Sequence, residues 1–259
     1  MSGILDQLYP PKPSFTEKEL PDQTGKVHVF LITGGASGLG FELAKILYQK
    51  NGTVYIATRS LEKIERALKA LREAFPDSKG RLEYIIIDLA DLTTARPAAE
   101  EFLRKEAGTV RIWLASMVAV GTPKGGVVFD DWGKPKLLGW AGQLGGKGVV
   151  SVVVNPGMVK TELQRQSIIM SAMMGLLMKP ARYGAYTQLF AALSPEVTLQ
   201  HNGAFIIPWG RFGVLPDHIE QEIRPDSGKE ARISRQFWGY CEGAVNGFWG
   251  ICAGVYVHA

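Results

Sequence analysis

The residues best placed to do chemistry are Thr33-Gly34-Gly35-Ala36-Ser37-Gly38-Leu39-Gly40, which follow an apolar run and open a helical pattern. The spacing Thr-Gly-x-x-x-Gly-x-Gly suits the pyrophosphate of a dinucleotide. Gly34 permits a tight turn off the strand, Gly38 lets the backbone approach the phosphates, and Gly40 allows the helix to pack closely on the strand. The helix start supplies unpaired N–H donors and the positive end of its dipole. Ser37 adds a hydroxyl donor. At the end of the next strand, where an acidic side chain would grip a ribose 2′-hydroxyl, the chain has Arg59, with Lys63 one helical turn on. Cations there suit a 2′-phosphate and favour NADP(H) over NAD(H). Asp88-Leu89 closes the third strand. The carboxylate there is placed to accept a hydrogen bond from adenine, with the leucine packed beside the ring.

The elements that must position these residues read clearly over the first 105 positions. Val27–Thr33 is a continuous apolar run, as expected of a strand buried on both faces. A helix is expected over Phe41–Lys50, stopped by Asn51-Gly52. Thr53–Thr58 reads as a second strand. Ser60 caps a helix whose apolar positions Leu61, Ile64, Leu68, Leu71 and Phe75 share one face. Leu82–Leu89 is a third strand and Thr93–Lys105 a third helix. This β-α-β-α-β-α order predicts an α/β fold built on a doubly wound parallel sheet.

Beyond that point Val110–Ala115 is a strand ending at Ser116, Val149–Val154 a buried strand stopping at Asn155-Pro156-Gly157, Arg182–Leu193 a helix and Ala204–Ile207 a last short strand. Residues 121–148 and 239–254 hold 14 of the 30 glycines, a density whose backbone entropy predicts the least ordered parts of the chain. Three units follow: an extended proline-bearing arm over 1–25, a nucleotide-binding domain over 26–220, and an irregular tail over 221–259.

Composition bounds the function. At 259 residues, with 46% hydrophobic and 21% charged residues, the chain is large enough for one globular core. A net charge of +4, with both signs intermixed, argues against nucleic-acid binding. Two cysteines, Cys241 and Cys252, make no disulfide framework and fit a reducing compartment. No uncharged apolar run reaches the ~18 residues of a membrane span. A cytoplasmic protein is expected, and nothing in the sequence specifies an oligomer.

Taken together, the Thr33–Gly40 turn, Asp88-Leu89, Ser116, and Asn155-Pro156-Gly157 followed by Thr161-Glu162 resemble the short-chain dehydrogenase/reductase family. Asn202–Ile219, with Trp209-Gly210-Arg211 and Pro216-Asp217-His218, is similar to fungal members related to retinol dehydrogenases and WW-domain oxidoreductases. The resemblance implies a Rossmann-like sheet and reversible hydride transfer between a small-molecule alcohol or carbonyl and NADP(H). It implies that Ser116 hydrogen-bonds the substrate oxygen. Pro156 and Gly157 would border the nicotinamide, and Val159 and Thr161 would contact its carboxamide or the adjacent phosphates. Ile168–Met178 falls where the family places a substrate-covering loop.

Two pieces of the family pattern are absent. No tyrosine in the chain is followed four residues later by lysine, and no tyrosine lies between Ser116 and Asn155. On a helix that spacing puts both groups on one face, where the ammonium lowers the phenol pKa for proton transfer. Nor is there an Asn-Asn-Ala-Gly strand and its following helix, since only 28 positions separate Asp88 from Ser116. An incomplete sheet and impaired catalysis are therefore expected. The open alternatives are a non-catalytic NADP(H)-binding relative and a truncated or mis-spliced product of a normal dehydrogenase gene. A hydrolase using Ser116 is disfavoured, because no Gly-x-Ser-x-Gly surrounds it.

Overall fold

The computed structural model describes residues 7, 9–26, 28–106, 150, 152–160, 178–214 and 243, together with the backbone of the short strands 116–117, 128–129 and 135–136. The expected strand over 110–115, most of both glycine-dense segments, Thr161, residues 168–177 and nearly all of the C-terminal tail lie outside the described residues.

Three parallel strands, β1 (Val29–Thr33), β2 (Thr53–Thr58) and β3 (Arg81–Ile86), form one sheet in the order β1-β2-β3. Their crossovers are α1 (Gly38–Gln49) and α2 (Leu61–Ala74), and α3 (Ala95–Lys105) follows a 3-10 turn at Leu92–Thr94. The first helix starts at Gly38 rather than Phe41, so the glycine turn is itself the first helical turn. The Ser60 hydroxyl accepts the Lys63 N–H and caps α2 as its residue type predicts. That helix buries Ile64, Ala67, Leu68 and Leu71, whereas Leu61 stays 42% exposed. Leu61 sits in the first turn, roughly 60° off the centre of the stripe, at 100° per residue.

A second sheet holds β4 (Ser116–Met117), β7 (Val153–Val154), β8 (Phe205–Ile207) and β9 (Arg211–Gly213). The first three run parallel and β9 returns antiparallel on β8. Between β4 and β7 in the chain, β5 (Val128–Phe129) and β6 (Pro135–Lys136) pair with each other. The last helix is α4 (Ala181–Leu193). Ser116 is the first described residue of the short strand β4.

One core joins the two sheets. Phe30, Ile32, Val54 and Ile56 of the first meet Val154 and Ile206 of the second beneath α1 and α4. The opposite face of the first sheet (Val29, Tyr55, Ala57 and Ile85) packs on Ala98 and Phe102 of α3. Burial on both faces explains why β1 and β2 read as unbroken apolar runs. Among the described residues, β1 is paired only with β2, and β4, β7, β8 and β9 form a sheet of their own. The partial parallel sheet follows from the short passage between Asp88 and Ser116.

Residues 9–26 form no helix or strand, yet they are seated on the core. Phe15 and Leu20 are buried, and Phe15 packs edge-on against Phe190 of α4. Glu17 pairs with Arg182 at 2.9 Å. Burial, and the Glu17 carboxylate beside it, push the pKa of Tyr186, one turn along α4, up to about 12. An unfolded phenol ionises near 10. The folded value is raised, so this stabilisation is complete below pH 10 and fades as pH climbs toward 12. Tyr186→Phe is expected to flatten the alkaline fall in stability over that window, read as the denaturant midpoint against pH. Identical profiles for the two proteins would refute the assignment.

Candidate functional site

The parallel register brings the predicted site residues to one end of the first sheet. Thr33 is level with Ala57 and Thr58 with Ile86. Gly34, Arg59 and Asp88 therefore leave neighbouring strands at their carboxyl ends, where open α/β sheets bind ligands.

At the turn itself, Gly34 and Gly38 have φ of +68° and +56°, the left-handed region that favours glycine, and a methyl group at either would meet nothing within 4 Å. Gly40 is different: a Cβ there would lie 2.8 Å from the Gly34 carbonyl oxygen and 3.0 Å from Gly35 Cα. The turn is tied down by the Gly34 N–H, which donates to the Ala57 oxygen at 2.8 Å, and by Gly35 N–H to Ile32 oxygen at 3.2 Å. Ser37 occupies the N-cap with extended backbone, and its side chain makes no capping bond. The first helical hydrogen bond is Phe41 N–H to Ser37 oxygen, so the N–H groups of Gly38, Leu39 and Gly40 precede the helical ladder. Open space, unspent donors and the dipole of a 12-residue helix make an anion cradle.

Arg59 and Asp88 touch each other, with Nη1 3.6 Å from Oδ2 and Arg59 73% exposed. The sequence assigns them separate parts of one ligand, and the structure places both on one rim. Thr94 fixes the Asp88 backbone: its hydroxyl accepts the Asp88 N–H at 3.0 Å and donates to the Asp88 carbonyl at 2.9 Å. Asp88 Oδ1 accepts the Ala90 N–H. Leu89 is 69% exposed beside them, an apolar surface open to a flat ring. Strand β3 ends at Ile86, so Asp88 and Leu89 belong to the loop after it. Lys63 lies in the first turn of α2, where its N–H is held by Ser60.

The turn after β7 meets the glycine turn through α4. A Cβ on Gly184 would come within 2.6 Å of Leu39 and 3.2 Å of Pro156, so this helical glycine lets the two loops share one wall. The Asn155 carboxamide oxygen accepts the Gly157 N–H at 3.0 Å and shapes the bend, where Gly157 has φ of +73°. Pro208 and Trp209 pack on the other side of Gly157. Val159 is buried and bridges Lys179, so its side chain is turned into the packing. Ser116 enters through its backbone alone, paired level with Val153. Gly184 and Thr94 are additions the sequence did not single out. A glycine inside a helix was the one available signal, because such a residue marks a close approach.

The model of the short chain dehydrogenase family matches residues 28–120. A short-chain dehydrogenase/reductase of Neocamarosporium betae is 30% identical over 96% of this chain and 94% of its own length. Another, from Phomopsis amygdali, is 31% identical over 92% of this chain and 95% of its own. The first alignment runs over 330 positions against 259 residues in this whole chain, so about 70 or more positions of that relative have no counterpart here. Among solved structures, an apo short chain oxidoreductase of Pseudomonas aeruginosa with an atypical catalytic center shares the fold. It has a TM-score of 0.52 at 15% identity, over 76% of this chain and 100% of that one.

Proposed function

This chain belongs to the short-chain dehydrogenase/reductase family of oxidoreductases, and from that premise we propose that it binds NADP(H) and descends from enzymes that oxidise or reduce a small-molecule alcohol or carbonyl. The observation that carries the cofactor reading is the open glycine cradle at Gly34–Gly40 beside the exposed Arg59. The residues fit the group. Gly38, Leu39, Gly40 and Ser37 would hold the pyrophosphate, Arg59 and Lys63 the 2′-phosphate, Asp88 and Leu89 the adenine, and Pro156 with Gly157 the nicotinamide end. Val159 through its backbone, and Thr161, would complete that end. When bound, the cofactor supplies or accepts a hydride. Ser116 is the residue we assign to the substrate oxygen.

Binding and turnover separate on this chain. Nothing in the sequence replaces the Tyr-x-x-x-Lys pair, and the aligned relative spans about 70 or more positions with no match here. This supports an impaired enzyme or a cofactor-binding relative, and it is also what a shortened gene product would look like. No helix among the described residues is long and apolar enough to cross a membrane. A cytoplasmic setting is the one we propose, in keeping with the two isolated cysteines.

The test is a fluorescence titration with NADPH and NADH. Arg59→Glu is expected to weaken NADPH by about tenfold or more while leaving NADH within about twofold, because it replaces a charge-assisted contact to the 2′-phosphate with repulsion. An equal change for both cofactors would remove Arg59 from the specificity role.

A further inference from the structure

The N-terminal arm reaches the far end of the site just described. The Asn155 carboxamide nitrogen donates to Gln7 Oε1 at 3.0 Å, across 148 positions of chain. The same carboxamide, through its oxygen, accepts the Gly157 N–H. Seven residues on, the Ser14 hydroxyl donates to the Gly210 carbonyl at 3.1 Å. Gly210 adjoins Trp209, whose indole nitrogen would stand 3.2 Å from a Cβ on Gly157. Further along, Glu17 pairs with Arg182 and Phe15 packs on Phe190, both on α4, the helix whose Gly184 seats Leu39 and Pro156. Below this, Asp22 accepts from Asn51 at 2.6 Å and the Gln23 N–H donates to the Lys50 oxygen at 2.8 Å, anchoring the arm at the opposite end of the sheet.

Three tethers thus bear on three supports of one bend: Gln7 on Asn155, Ser14 on the Trp209-Gly210 turn, and Glu17 with Phe15 on α4. A segment that carries no helix or strand from Tyr9 to Lys26 spends ordering entropy on each contact. We infer that the arm is a strap whose Gln7 and Ser14 are positioning residues for the Asn155-Pro156-Gly157 bend, so that the N-terminal segment sets the nicotinamide end of the cleft and leaves the adenosine end untouched. The inference rests on the cofactor reading for its ligand readout. Its geometry stands apart from that reading.

The variants are Gln7→Leu, which removes the acceptor, Gln7→Glu, which keeps one, and Ser14→Ala. Each full-length chain is titrated with NADPH and with 2′,5′-ADP, which carries the adenosine half alone. Amide hydrogen exchange is followed in the peptide holding Gly157. Gln7→Leu and Ser14→Ala are expected to weaken NADPH roughly two- to tenfold, the span of one lost hydrogen bond, with 2′,5′-ADP unchanged. Exchange at Gly157 should rise in Gln7→Leu and return toward the parent value in Gln7→Glu. Unchanged exchange at Gly157 in Gln7→Leu overturns the inference, as does an equal loss of both ligands. If the parent chain binds neither ligand while exchange at Gly157 still rises, the cofactor reading falls and the positioning role of Gln7 stands.

Discussion

Replacing Gly40 with alanine is expected to abolish measurable NADPH binding and to lower stability by about 1–3 kcal/mol, the usual cost of forcing a methyl group into a filled site. The neighbours that must give are the Gly34 carbonyl at 2.8 Å and Gly35 Cα at 3.0 Å, both backbone. Neither moves without opening the turn, and opening it breaks the Gly34 N–H bond to Ala57 that locks β1 to β2. Gly34 and Gly38 supply the contrast. A methyl group at either has room, so alanine there meets only the left-handed backbone cost of roughly 1–2 kcal/mol. At Gly38 the added methyl projects into the space assigned to the phosphates, so Gly38→Ala should lose far more affinity than its stability change explains. Denaturant melts beside cofactor titrations of the three variants check the pattern. A Gly40→Ala protein that melts and binds like the parent would mean that the turn is not the cradle.

The first half of the chain was legible because its information is local. Strands β1 and β2 are continuous apolar runs of five or six residues ending at a glycine or an arginine, β3 ends in an acidic loop, and each helix carries its own cap or stripe. The register of β1, β2 and β3 then follows from the chain order. The second half depends on partners distant in sequence. Val149–Val154 reads as a six-residue strand, and among its described residues Val153 and Val154 join the ladder between β4 and β8. Strand β9 has one large apolar residue, Phe212, and exists because the turn at Gly210, with φ of +86°, folds it back on β8. The arm shows the same limit. Phe15 and Leu20 follow no period, and both are buried in the core cluster that takes in residues of α1 and α4. Asp88 and Arg59 were each found from their position after a strand, and their contact follows from the adjacency of β2 and β3. Nothing in the spacing pointed from Gln7 to Asn155.

With NADPH bound, the protein is expected to transfer hydride to simple carbonyls at least ~100-fold more slowly than a relative that carries the tyrosine–lysine pair. A positioned general acid contributes ~10²–10⁴ to rate, and neither the sequence nor the described site replaces it. Tyr183 packs its ring 4.7 Å from that of Trp209, which lies against the Gly157 bend. Four residues on is Thr187, not a lysine, so the Tyr-x-x-x-Lys spacing is not met on α4. Ser116 alone can hydrogen-bond a substrate oxygen, but a serine hydroxyl is too weak an acid to complete the transfer at neutral pH. The measurement is the decay of nicotinamide absorbance in single-turnover mixing, for the parent and for Ser116→Ala. Fast decay that survives Ser116→Ala would overturn both the assignment of Ser116 and the expected loss of rate. Sequencing the native transcript across codons 105–150 separates the two remaining histories. A longer message that restores a strand beside β1 ahead of Ser116 and a Tyr-x-x-x-Lys helix after it would complete the sheet and the proton relay. A message of the present length would leave a family member whose cofactor cradle persists without its acid, and whose role then lies in binding NADP(H).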